Sequence, residues 1–337
     1  MQFTRIIAAG SVFLSIFGAG FSAGAETVEI REWKVPYENT RPRDPFAETS
    51  DSVWFAGQRG GYLGHLDVET GTIVRVDLRE GSGPHNLIVG SDGVVWYAGN
   101  RHGLIGRYDP STKEFEEIPM PDEAARDPHT LIFDENEENI WFTVQGGNFM
   151  GRMNIETRKV DLIPSKTERS RPYGIKMAPD GSVWVVLFGT NKLAHIDPES
   201  LALTEIELPR EETRPRRMEI TEDGRIWYVD YATGTLGAYD PKTEKTSEWP
   251  MPQGENARPY GTASDASGRI WIAASGLSPN VLVAFDPETE EFISATEVPS
   301  GGGTIRHMHY HEPTGAIWFG TDTNYIGRAI VEPELQN

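Results

Sequence analysis

Short apolar runs built around tryptophan recur along the chain, separated by polar turns rich in Gly, Asp and Pro. Seven share one local pattern: "SVWFAG" at Trp54, "VVWYAG" at Trp96, "NIWFTV" at Trp141, "SVWVVL" at Trp184, "RIWYVD" at Trp227, "RIWIAA" at Trp271 and "AIWFGT" at Trp318. These tryptophans follow one another at 42, 45, 43, 43, 44 and 47 residues. Short apolar runs bounded by turn residues read as strands, and a period in the forties predicts a propeller with one blade per repeat.

Each repeat divides into four strands. A Pro-led segment such as "GPHNLIV" or "RPYGIKM" forms the first, and an Asp-Gly turn leads into the Trp strand, Gly accepting positive φ there at no steric cost. A third strand, as in "GLIGRYDP" or "KLAHIDP", closes at Asp-Pro. The outer strand, such as "FEEIPMP", carries proline, which suits an edge. The last repeat stops after its third strand at "YIGRAIV", while "VEIREWKVP" near the other end has the outer-strand pattern alone. The expectation is an all-β, seven-bladed propeller over residues 26–337 whose N-terminal strand completes the seventh blade and removes exposed edges. The seven tryptophans are then blade-core residues.

Composition narrows the function. The apolar run after Arg5, "IIAAGSVFLSIFGAGF", ends in the small residues Ala23-Gly24-Ala25, the outline of a signal peptide over residues 1–25. It is shorter than the roughly 20 residues that span a bilayer. Export to the periplasm or the medium, without membrane insertion, is the expectation. The absence of Cys excludes disulfides and thiol chemistry. The formal charge of −20 disfavours nucleic acid. A monomer acting on a small molecule or oligosaccharide remains.

Tandem Pro-x-Gly-Ile, Asp-Gly-x-Ile-Trp-Phe and Ile-Gly-Arg units, carried by "RPYGIKMAPDGSVW", "DGRIW", "GLIGRYDP" and "NYIGRAIV", resemble the streptogramin B lyase (virginiamycin B lyase) family of seven-bladed propellers. The resemblance covers about residues 27 to 332. It implies a lyase that opens a cyclic depsipeptide antibiotic by elimination, using a histidine base and a magnesium ion held by acidic residues. The position matching the base is His307, and Asp322 in "WFGTD" is the nearest match to a carboxylate of the metal site. Ile305 stands where the family carries another acidic metal residue, and Tyr260 where it carries a substrate-binding histidine.

Aligning the repeats on their tryptophans gives an equivalent residue just after each Pro-led start: Arg43, His85, His129, Tyr173, Arg216, Tyr260 and His307. The first strand of a propeller blade is innermost, so a ring of these residues is expected at one end of the central channel. Removing a proton next to a carbonyl needs a base poised near neutrality, a cation for the developing oxyanion and an acid for the leaving group. His307 suits the base, and Tyr260 or Tyr173 the acid. Arg43 and Arg216 with Arg217, and His85 and His129, are the substrate-binding positions, an arginine being able to hold a carboxylate bidentately. His307, His309 and His311 lie on alternate positions, a spacing by which two can reach one metal ion. His309 is either a metal-binding helper, with Asp322 and Mg²⁺ or another divalent ion, or an inert strand residue; His311 reads as structural. His65 and His195, on third strands, also read as structural, and the acidic "DENEEN" from Asp134 reads as a solvated hairpin.

Three functions compete. The first is a carbon–oxygen lyase acting by β-elimination on a depsipeptide lactone, as the resemblance implies, or on an anionic uronate, as the Arg/His/Tyr set allows. The second is a non-catalytic propeller holding a small anion or a protein partner. A lactone hydrolase ranks last, because the ring offers no acidic or Asn metal ligands.

Overall fold

The computed structural model describes residues 26–332, so the apolar segment over residues 1–25 lies outside the described residues. The strands form seven four-stranded antiparallel sheets, each ordered from an inner strand outward. Blade 1 runs Pro42–Ala47, Ser52–Gly57, Tyr62–Asp67 and Ile73–Asp77, and blades 2 to 6 repeat the plan. Blade 7 takes three strands from Met308–His311, Ala316–Gly320 and Tyr325–Ile330 and its outer strand from Glu29–Lys34. That closing strand pairs in unbroken register from Glu29↔Ile330 to Lys34↔Tyr325, and Trp33 stacks on Trp318 at 5.4 Å. Helix among the described residues is limited to the 3-10 turns Gly254–Ala257 and Glu312–Thr314. No helix among them is long and apolar enough to cross a membrane.

The repeated sequence units do identifiable work. All seven tryptophans are at most 5% exposed, which makes them core. Each removes ~150–250 Å² from water, worth about 4–6 kcal/mol as an upper bound at ~25 cal/mol per Å². The glycine of Ile-Gly-Arg lies opposite the aromatic residue that follows the tryptophan: a Cβ on Gly64 would stand 2.1 Å from the Phe55 ring, and one on Gly327 2.3 Å from Phe319. The residue after that position covers the tryptophan, as a guanidinium in Arg152 over Trp141 and as an imidazole in His65 against Trp54 and, after Ala194 in place of the glycine, in His195 against Trp184. These two histidines are therefore part of the blade wall. In the Asp-Gly hairpins the turn runs Ala178 to Gly181, with Gly181 at φ +82°, and Asp180 accepts from the Ser182 N–H at 2.9 Å. Asp134 closes its own hairpin in the same way, accepting from the Glu138 and Asn139 N–H groups.

Candidate functional site

The seven inner strands converge on the channel, and in five of them the pairing with the Trp strand slips just after the proline, as between Arg43 and Phe46 or between Pro215 and Arg217. A bulge of this kind inserts an unpaired residue and re-aims side chains. Two consecutive residues of one strand therefore reach the axis. The proof is in contacts between blades that are not neighbours. Asp44 of blade 1 lies 3.8 Å from Arg217 of blade 5, Arg217 donates to Thr130 of blade 3 at 3.1 Å, and the Tyr173 hydroxyl of blade 4 hydrogen-bonds the Tyr260 hydroxyl of blade 6.

The first tier holds Arg43, His85, His129, Tyr173, Arg216 and Tyr260, which bond and stack in series, with Arg43 Nη2, His129 Nε2 and Arg216 Nε left unpartnered. Arg43 bonds His85 at 2.9 Å and Gln58 at 3.3 Å. His85 stacks on His129 at 3.7 Å and His129 on Tyr173 at 4.1 Å. The Arg216 guanidinium sits over Tyr260 at 3.7 Å and Tyr231 at 4.1 Å, with Phe188 at 4.6 Å. Arg43, His85, His129, Tyr173 and Tyr260 are all buried. The ring expected to line an open channel is a polar plug.

The second tier holds Asp44, Asn86, Thr130 and Arg217. Asp44, fully buried, accepts from Arg43 at 2.8 Å and from Asn86 at 3.2 Å. Arg217 also donates to the Arg306 carbonyl at 3.1 Å, while its Nη2 is buried without a hydrogen-bond partner.

His307 belongs to this second tier. In blades 1 to 6 the tryptophan pairs with the residue three after the ring position, as in Trp54 with Phe46 and Trp184 with Lys176. In blade 7, Trp318 pairs with His309, only two after His307, and no slip interrupts the strand. Alignment on tryptophan therefore misplaces His307 by one residue, and Arg306 holds the seventh ring position. The deeper placement sets His307 in the field of Asp44 and Arg217.

Burial sets the protonation states. It pushes His307 well below the ordinary imidazole range; Asp44 opposes this, and Arg217, Lys176 and His309 reinforce it. His85 is pushed well down by burial and then Arg43, and His129 by burial and then Arg217. Burial alone would raise the Asp44 carboxyl, but Arg43, His307 and Arg217 outweigh it and hold it ionised. Burial likewise opposes ionisation of Tyr173, yet Arg216, Arg217, Arg43 and the bond to Tyr260 prevail and lower it. Tyr260 is raised, by burial and then by the charge of Tyr173. The tyrosine pair thus sheds its first proton more readily than a free phenol and its second less readily.

Below the plug lies a cavity of about 340 Å³. His307, Arg217, Asn86 and Thr130 face it from above; Lys176, Glu219 and His309 form its next tier. Lys176 and Glu219 pair at 2.7 Å, Glu219 accepts from Thr262 at 2.8 Å, and His309 stacks on Phe46 at 4.2 Å. Burial pushes His309 down to about 3.

The metal donors expected from the sequence do not come together. Asp322 lies four residues past the partner of His309 along its chain segment, ~13 Å for extended chain. Its carboxylate is held bidentately by Arg306 at 2.5 and 2.7 Å, with Arg41 at 3.4 Å. Ile305 is buried, and among the described residues no three His, Asp or Glu are grouped to hold an ion. As arranged, this donor set does not fit magnesium. His311 bonds Thr314 at 2.9 Å in the hairpin.

Sequence reasoning overlooked Asp44, Asn86, Thr130, Lys176 and Glu219. The signal for the first three was available: Arg43-Asp44, His85-Asn86 and His129-Thr130 are polar pairs in strands whose alternation should place one residue of each pair in the apolar wall.

The fold has close structural counterparts. A streptogramin B lyase superposes with a TM-score of 0.81 at 21% identity, over 91% of this chain and 99% of that one. Catalytically inactive virginiamycin B lyase from Staphylococcus aureus with quinupristin gives 0.80 at 20%, over 89% and 98%. Hydrazine synthase from Kuenenia stuttgartiensis gives 0.72 at 14%, over 88% and 98%, so the same architecture serves other chemistry. No curated protein matches. The virginiamycin B lyase family model, however, matches residues 19–281, more than half of the sequence, and the chain belongs to that family.

Proposed function

We propose that the protein is a carbon–oxygen lyase acting by β-elimination, with His307 as the base. The observation that carries this reading is the state of His307: a neutral imidazole, its Nδ1 buried without a partner, facing the channel cavity beside Arg217. His307 takes the proton from the carbon next to a carbonyl or carboxylate. The C–H electron pair becomes the new C=C bond as the C–O bond at the β-carbon breaks. The positive charge of Arg217, which lines the cavity, stabilises the charge that develops on the carbonyl oxygen. The departing oxygen takes its proton from water in the cavity, since Tyr173 and Tyr260 are buried in the plug and do not line the cavity. No step is routed through a metal, and Asp322 and His309 are given no catalytic part. On this reading the enzyme is a monomer that works outside the cytoplasm, periplasmic or secreted, as the pattern of residues 1–25 implies.

The substrate is a lactone of streptogramin type or a uronate-containing saccharide. The test is absorbance of the conjugated product from streptogramin B and from uronate oligosaccharides, with and without EDTA, for the wild type and His307→Ala. Loss of turnover on the order of 10²–10⁴-fold in a folded variant is expected; unchanged turnover overturns the assignment of the base. A second reading, a non-catalytic binding propeller, is favoured by the burial of Arg43, His85, His129, Tyr173 and Tyr260, which bond and stack against one another away from the cavity. It predicts saturable binding and no product from any substrate.

A further inference from the structure

The channel is an electrostatic exception in this chain. The sequence carries a formal charge of −20, yet the charged side chains reaching the channel are Arg43, Arg216, Arg217 and Lys176 against Asp44 and Glu219, four cations to two carboxylates. Arg306 is left aside because Asp322 neutralises it. The imbalance falls on the cavity side. Arg43 bonds Asp44 at 2.8 Å. Arg217, 3% exposed, stands 3.8 Å from that carboxylate and keeps one Nη without a hydrogen-bond partner. Lys176 spends one of its three donors on Glu219. Lys176 thus brings free donors to the cavity, and Arg217 brings its charge, its unpartnered Nη2 lying on the side of Asp44.

The shape of the cavity limits what these donors can take. It is shut from above by the buried ring. Downward it extends past Ser264 and Phe133, the last residues of the inner strands Pro259–Ser264 and Pro128–Phe133, and both are only partly buried. That is the end of the channel at the Asp-Gly hairpins. About 340 Å³ is at the small end of the ~300–1,000 Å³ that accommodates drug-sized ligands, enough for one sugar ring. Its walls mix the rings of Phe46 and Phe133 with the hydroxyls of Thr130, Thr262 and Ser264. Aromatic faces beside hydroxyls suit the apolar face and ring hydroxyls of a sugar, and an ammonium beside a guanidinium suits a carboxylate.

We propose that the cavity is a binding site for a monosaccharide-sized sugar acid, admitted from the hairpin end of the channel, its carboxylate held by Lys176 in the positive field of Arg217. The proposal concerns binding and stands whether or not His307 turns the ligand over.

The probe is D-galacturonate, titrated calorimetrically into the intact protein, with D-galactose and inorganic phosphate as comparisons. Galacturonate is expected to bind at least tenfold more tightly than either. Ser264→Trp, which fills the hairpin end with an indole, is expected to abolish binding with the melting temperature kept. The double variant Lys176→Met/Glu219→Gln, which removes the ammonium without stranding a buried carboxylate, is expected to weaken it at least tenfold. Galacturonate binding no tighter than galactose, phosphate binding as well as the sugar acid, or full binding in Ser264→Trp each overturns the proposal. Turnover of a lactone by a wild type that binds no galacturonate leaves the lyase reading standing and this one refuted; galacturonate binding without turnover of any substrate does the reverse.

Discussion

The two ends of the central channel are built from similar residues and behave differently. At the Arg-Pro end, Arg43, His85, His129, Tyr173 and Tyr260 bond and stack against one another, and all are buried, with Arg43 Nη2 and His129 Nε2 left without hydrogen-bond partners. One tier further in, His307 and Arg217 line the cavity, although their unpartnered atoms, Nδ1 and Nη2, are themselves buried. Polar groups that complete one another specify a structure, because an unmade buried hydrogen bond costs more than a made one contributes. Groups that border a cavity can meet a ligand, and groups sealed inside a plug cannot. A residue's chemical type therefore says less about function here than whether it borders the cavity.

The largest expected effect comes from breaking the hinge between the two ends. Asp44→Ala leaves Arg43 and Arg217 buried without their counter-charge, and should cost about 3–5 kcal/mol in chemical denaturation. A cost below about 1 kcal/mol would mean that the plug is not held by charge.

Acid should loosen the same region. The native pKa values of His85, His129, His307 and His309 lie below the usual 6.5, so between those values and 6.5 the unfolded chain binds more protons than the native one. Stability then falls as pH drops below about 6.5, by about 1.4 kcal/mol per pH unit for each histidine fully protonated only when unfolded. For His309 the window extends down to about 3. Denaturation midpoints at pH 7, 6 and 5 check the sign, and midpoints that hold steady or rise would contradict it.

A smaller contrast separates the tiers directly. Tyr260→Phe removes the hydroxyl that bonds Tyr173 and should cost about 1–3 kcal/mol. His307→Gln should cost less than about 0.5 kcal/mol, since Nδ1 of His307 has no partner to lose, while abolishing turnover. Equal stability losses in the two variants would erase the distinction between structural ring and working site.

Much of this architecture is legible before any coordinates. Trp54 to Trp318 mark the blades because one large apolar side chain per repeat fills each core, and the isolated outer strand "VEIREWKVP" announces the closure realised between Glu29–Lys34 and Tyr325–Ile330. The first-tier ring is legible for the same reason: six of its positions stand at a constant offset from a proline. His307 is identified as a residue but misplaced by one tier, because a hairpin register is invisible to alignment on tryptophan. Asp322 shows the other limit, since its partner Arg306 is sixteen residues away in sequence.

What the sequence by itself determined is the periodic part: strand identity, blade number, the core face and the closing strand. These depend on local turn chemistry and on one apolar side chain per repeat, and both recur at readable intervals. What only the tertiary structure decided is the state of each channel group. Whether Arg217 is spent or free, whether His307 is neutral, and which end of the channel is shut depend on side chains that meet across the axis from blades far apart in the chain. Burial among such neighbours, rather than residue type, sets their charge and their availability.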